Sequence, residues 1–180
     1  MTTPSPRTAE TYGALSYGHA RTRSRVFALR LLYQTEMTDA SLETILREAS
    51  WRFSIDRLEE CLTECDQRGS CEAYAFFALF DKEPDDYTLT LVKGVEEQRR
   101  EIDRMIREAS EHWALFRMPV VDRCILRLAT WELCYNPDLP AQVAINEAVQ
   151  LAKEYGGEDS RKFINGLLGK IARVSADPVQ

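Results

Sequence analysis

Residues 26–36, VFALRLLYQTE, constrain the fold most, because as a helix they are apolar around most of the circumference. Such a helix has no face to give to water, so it belongs at the centre of a bundle. The segment before it, Arg21-Thr-Arg-Ser-Arg25, then forms the basic first turns and projects beyond the core. Cations at a helix start oppose the macrodipole by a few tenths of a kcal/mol each. Folding does not favour them there, which points to a ligand.

The rest of the chain repeats the helical theme. Leu42, Ile45, Leu46 and Ala49 recur at i, i+3, i+4 and i+7, with Ser41 placed as a cap. Leu58, Cys61, Leu62 and Cys65 share that spacing, and 71–80, CEAYAFFALF, reads as a further apolar helix. A long helix is expected from about Tyr87 to Trp113, carrying Leu91, Val92, Val95, Ile102, Met105, Ile106 and Ala109 inward. Pro119 suits the start of the next, with Val121, Ile125 and Leu128 on its stripe, and Pro140 opens another.

The last two helices are the clearest. Ile145, Val149, Ala152 and Tyr155 mark one, and Gly156-Gly157 is expected to end it with a positive φ. Asp159 or Ser160 caps its successor, whose stripe is Phe163, Leu167, Ile171 and Val174. Gly166 interrupts that helix at a cost of about 1 kcal/mol against alanine, so another helix is expected to pack against it. No strand alternation of useful length is present. The fold class is all-α: a flexible tail over 1–19, a helical domain over 20–174 and a short tail over 175–180.

Net charge is −6, which alone argues against nucleic acid, but the distribution reverses that reading. Residues 1–35 hold five arginines against Glu10, whereas 36–112 hold ten basic and twenty acidic side chains. Screening confines each field to about 8–10 Å, so a local basic helix can bind phosphate while the acidic middle faces elsewhere, and whole-chain charge does not decide the question.

No Gly-rich phosphate loop or G-x-S-x-G is present, and with His19 in the tail and His112 on a charged helix a Ser or Cys nucleophile has no evident base, so no enzymatic activity and no cofactor are expected. Cys61, Cys65 and Cys71 lack a fourth ligand for zinc and fit a reduced core. With no signal segment or membrane-spanning run, the expected location is cytoplasmic. Arg21, Arg23, Arg25 and Lys162 supply cations for a single-stranded RNA, and Phe163 or Tyr155 an aromatic face for a base. Phe163 is read equally as core. Asp159 repels phosphate, so it acts as an acceptor from a base or as a cap.

Three blocks carry a family resemblance. They are Pro140-x-x-Val-Ala-Ile-Asn-Glu-Ala-Val149 running on through Gly156-Gly-Glu-Asp-Ser160 and Lys162-Phe-Ile-Asn-Gly166; Val121-Asp-Arg-Cys-Ile-Leu-Arg-Leu-Ala129; and Arg21-x-Arg-x-Arg25. Together they resemble the NusB transcription antitermination factors over about residues 20–174. The resemblance implies a bundle of two packed helical halves, here with an extended connection around residues 53–86. It implies binding of boxA-type RNA of rRNA leader transcripts together with ribosomal protein NusE, in the complex that helps RNA polymerase read through termination sites. By position, Arg21, Arg23, Arg25, Tyr155, Asp159, Lys162 and Phe163 would meet RNA, and Tyr33 and Asp122 would fall near NusE.

Some family members are dimers, so a homodimer is a further expectation to test. Thr22, Ala141-Gln142 and Arg161 depart from the family pattern, and Gln142 removes a phosphate contact. A NusB-like domain also occurs in rRNA cytosine methyltransferases, for which a chain ending at Gln180 leaves no room. A self-associating interaction module is the other alternative.

Overall fold

The computed structural model describes residues 20–38, 40–47, 83–111 and 114–176. Within them lie α1 (Ala20–Thr38), α2 (Leu42–Arg47), α3 (Asp86–Glu97), α4 (Arg99–Ala109), a 3-10 turn (Leu115–Arg117), α5 (Val120–Tyr135), α6 (Ala141–Tyr155) and α7 (Ser160–Ala176). No strand occurs among the described residues, and none of their helices is long and apolar enough to cross a membrane. The expected helices over 58–65 and 71–80, and most of the connection around 53–86, fall outside the described residues, as do Cys61, Cys65, Cys71 and His112.

Helix α1 packs on α2, α3 and α5, while α4, α6 and α7 also pack on α5. Two helical groups thus share α5, whose residues Cys124 to Thr130 are all buried. In α1 the buried run extends from Ser24 to Leu32 without a break. That is the continuous burial its apolar circumference requires, but two arginines, Arg25 and Arg30, lie inside it. Burial pulls the Arg30 guanidinium down to about 10.

Local signals set most boundaries. Ser41 Oγ accepts from Thr44 N at 3.1 Å and caps α2. Asp85 Oδ1 accepts from Thr88 N at 2.7 Å and caps α3. The single helix expected from Tyr87 to Trp113 is instead two, separated by a turn at Gln98. Gln98 N still reaches Gly94 O at 3.1 Å, so α3 and α4 remain nearly continuous.

Gly94 is where α3 meets α5. A Cβ there would sit 2.3 Å from the Trp131 indole, far inside contact distance. Gly94→Ala is therefore expected to force Trp131 aside and lower stability by about 1–3 kcal/mol, read as a shift of the urea midpoint. An unchanged midpoint would mean the indole has a second, equally good position.

The last two helices keep their helical period, but the buried faces are turned by about one residue. In α6 the inward positions are Ala144, Ala148, Leu151 and Ala152, with Ile145, Val149 and Tyr155 half-buried. In α7 they are Ile164, Leu167, Leu168 and Ile171, and Val174 is 76% exposed rather than buried. Gly166 corrects the expectation of a close helix, since a Cβ there would meet nothing within 4 Å. Gly156 also differs: its φ of −92° is extended, not left-handed. Glycine is needed there for space, because a Cβ would come 2.6 Å from Ser160 Cβ and 2.7 Å from Ala152 O.

Candidate nucleic-acid interface

The opening of α1 is stapled to two other helices, α3 and α6. Ser24 Oγ donates to Asp85 Oδ2 at 2.7 Å, and Thr88 Oγ1 donates back to Ser24 O at 3.2 Å. Thr22 Oγ1 donates to Glu147 Oε1 of α6 at 3.2 Å. These bonds fix the orientation of the first turn, leaving Arg21 and Arg23 exposed.

Arg25 does not join them at the surface. It is 3% exposed, and its Nε donates to both carboxylate oxygens of Glu132 at 3.0 Å. Its Nη1 lies 3.3 Å from Glu147 Oε2. Tyr87 OH completes the cluster, donating to Glu132 Oε1 at 2.5 Å. Burial works against the Arg25 charge, but the bond to Glu132 and the surrounding negative groups outweigh it and raise its pKa. Burial and Glu132 together push the Tyr87 phenol up to about 12. Arg25, expected to meet RNA, is thus buried between two carboxylates and does not share the surface of Arg21 and Arg23.

The corner between α6 and α7 is built from Gly156 to Lys162. Gly157 N donates to Ser160 Oγ at 2.9 Å, and Ser160 Oγ donates to Asp122 Oδ2 at 2.8 Å. Ser160 thus faces inward and ties the turn to α5, while Glu158, Asp159, Arg161 and Lys162 remain exposed. Asp122, expected near a protein partner, is instead 3% exposed beneath this turn. Its Oδ1 has no hydrogen-bond partner among the described residues. Burial raises its carboxyl above the ordinary range despite the Ser160 bond. Asp122 therefore supports the corner from below and presents no surface of its own. Tyr155 and Phe163 flank the turn, half-buried against the core, and Tyr33 is half-buried on α1.

The two regions are connected through α6. Glu147, which holds both Thr22 and Arg25, lies on the helix that ends at Tyr155. Eight residues of α-helix rise about 12 Å, so the α1 opening touches the helix that leads into the corner. Arg21, Arg23, Asp159 and Lys162 are the exposed members of the expected set. Sequence reasoning missed Glu132, Glu147 and Tyr87. The available signal was Glu132 itself, a carboxylate among the apolar residues of the second half of α5.

Among the described residues no group of His, Cys, Asp and Glu is arranged to hold a metal ion. Cys124 is buried, and that burial pushes its thiol up to about 12.

The NusB family model matches residues 22–173. The chain is 40% identical over 151 residues to the transcription antitermination protein NusB of Clostridium botulinum (strain Kyoto / Type A2), covering 84% of this chain and 98% of that protein. The protein of the same name from Myxococcus xanthus (strain DK1622) is 39% identical over 153 residues, covering 85% and 94%. Among solved structures, T. maritima NusB superposes with a TM-score of 0.65 at 34% identity, covering 88% of this chain and 94% of that one. A chain from the crystal structure of antitermination factors NusB and NusE in complex with dsRNA gives a TM-score of 0.60 at 23% identity, covering 87% and 99%. At that identity the likeness speaks for the fold alone.

Proposed function

Because this chain belongs to the NusB family, we propose that it is a transcription antitermination factor, a non-enzymatic cytoplasmic adaptor. In this reading it binds boxA-type single-stranded RNA of rRNA leader transcripts together with ribosomal protein NusE and promotes read-through by RNA polymerase. The observation that carries the RNA-binding part is the exposed pair Arg21 and Arg23 on a helix start hydrogen-bonded to α6 through Thr22 and Glu147. Cations at a helix start oppose the macrodipole, and guanidinium groups match phosphate oxygens in charge and geometry.

The proposed contact set is smaller than the arginine motif suggests. Arg21, Arg23 and Lys162 neutralise phosphates, Tyr155 and Phe163 offer half-buried ring faces to bases, and Asp159 accepts from a base amino group. Arg25 holds the helix start in place. Tyr33 faces NusE, and Asp122 acts through the turn that it anchors.

Three phosphate contacts to single-stranded RNA give a slope of log affinity against log salt near −2. Titrating the full chain with a boxA RNA, with and without NusE, measures it. Replacing Arg21 and Arg23 together by alanine is expected to leave a slope near −0.7. Absence of binding at low salt with NusE present would overturn the reading.

A further inference from the structure

Arg21 is exposed, yet its guanidinium carbon lies 5.1 Å from the centroid of the Tyr87 ring. That is within cation–π reach, and the Arg25 guanidinium lies 5.6 Å from the same centroid. The ring is itself fixed. Tyr87 stands in the first turn of α3, capped by Asp85, and its hydroxyl donates to Glu132 of α5. Glu132 is held in turn by Arg25 of α1. Three helices thus converge to place one aromatic face beneath one exposed arginine.

A free arginine side chain samples many rotamers, and ordering it on binding opposes association. A guanidinium already resting on a fixed ring loses less freedom when a phosphate arrives. Donation of the phenol proton to a carboxylate also enriches the ring in electron density, which strengthens its hold on a cation. Burial and Glu132 keep the phenol protonated throughout the neutral range, so the arrangement persists there.

We propose that Tyr87 is a positioning residue for RNA: its ring, clamped by Glu132, pre-orders Arg21 for a phosphate and raises affinity without Tyr87 touching the RNA. This deepens the RNA-binding reading above and rests on it. It also gives the cluster around Glu132 a second consequence besides stability, because the same hydroxyl contact that closes the buried network orients a surface cation.

The test is a double-mutant cycle on the full chain with NusE and a boxA RNA. Arg21→Ala is expected to weaken binding, and Tyr87→Leu to weaken it about three- to fivefold in the Arg21 protein. In the Arg21→Ala background, Tyr87→Leu has no further effect. Tyr87→Phe retains the ring but loses the hydroxyl that Glu132 holds, and is expected to bind with an affinity between those of the wild type and Tyr87→Leu. An equal loss from Tyr87→Leu in both backgrounds overturns the proposal, and so does no loss where Arg21→Ala has one. If the complex binds RNA but Arg21→Ala binds as tightly as wild type, the positioning role fails while the functional reading stands. No RNA binding by the wild-type complex sinks both. A readout that needs no leucine variant is the NMR shift of the Arg21 Cδ protons, expected upfield from ring current in the wild type and in Tyr87→Phe. Shifts there matching those of a solvated arginine would likewise overturn it.

Discussion

Arg25→Ala is expected to cost about 3–5 kcal/mol of folding stability, a large share of the roughly 5–15 kcal/mol that holds a domain together. The loss does not come from the attraction alone. Removing the guanidinium strands Glu132, whose side chain is 2% exposed, as a buried carboxylate with only the Tyr87 hydroxyl still donating to it. It also releases Glu147, leaving Thr22 as that residue's link to α1 among the contacts described. The control is to remove both charges. Replacing Arg25 and Glu132 together by methionine is expected to recover much of the deficit, because the desolvation of each ion disappears with it. Arg25→Lys keeps the charge but not the fork that spans both Glu132 oxygens, and is expected to fall between the two. Urea denaturation reads all three as midpoint shifts at constant slope. The result also separates two roles for the third arginine of the motif. A surface phosphate contact would lose RNA affinity on substitution and leave stability nearly untouched. A buried strut loses stability first, and a cost below about 1 kcal/mol, the scale of an exposed pair, would refute that role.

The helical architecture was legible because apolar residues recur at helical spacing in nearly every described segment, and because α1 has too little polar circumference to lie outside. The faces were less legible. In α6, Ala144 and Ala148 are buried while Ile145 and Val149 are only half-buried. Ranking positions by hydrophobicity selects the larger side chains, whereas tight packing against α5 and α7 selects the smaller ones. The same shift left Val174 outside. The fate of the arginines was not local at all. Arg25 is drawn inward by Glu132, a carboxylate 107 positions away, and by Glu147. Nothing in the spacing of the basic run encodes that. Ser160 was hidden in the same way: it reads as a helix cap, and its hydroxyl instead spans from Gly157 N to Asp122. The glycine pair was placed correctly as a helix end but for the wrong reason, since the need at Gly156 is room for Ser160 and not a left-handed backbone.

Glu36→Ala is expected to cost about 3 kcal/mol, at the lower end of the range for breaking a buried pair because Glu36 keeps some contact with solvent. Three guanidiniums converge on this carboxylate near the end of α1. Arg123 of α5 donates through Nη2 at 2.6 Å and Nε at 2.9 Å, Arg127 of α5 lies 2.9 Å away, and Arg99 of α4 closes the set. Asp103 shares Arg127, with bonds of 2.7 and 3.0 Å. Alanine at 36 would leave three cations facing one another with one anion fewer between them. Burial pushes the Glu36 carboxyl up, but the Arg123 bond and the charges of Arg127, Arg99 and Arg123 outweigh it and hold the pKa below the ordinary glutamate range. The sign of the pH dependence follows. A carboxyl more acidic folded than unfolded contributes its full stabilisation above the unfolded value, about 4.3, and loses it as pH falls through the folded one. Wild-type stability should therefore decline in acid more steeply than that of Glu36→Gln, and the two curves should converge as the carboxyl protonates. Parallel curves from pH 7 down to pH 3 would mean the three arginines do not depend on the Glu36 charge. Because the cluster joins α1 to α4 and α5, its loss should also appear as faster amide exchange at the end of α1 than at its centre.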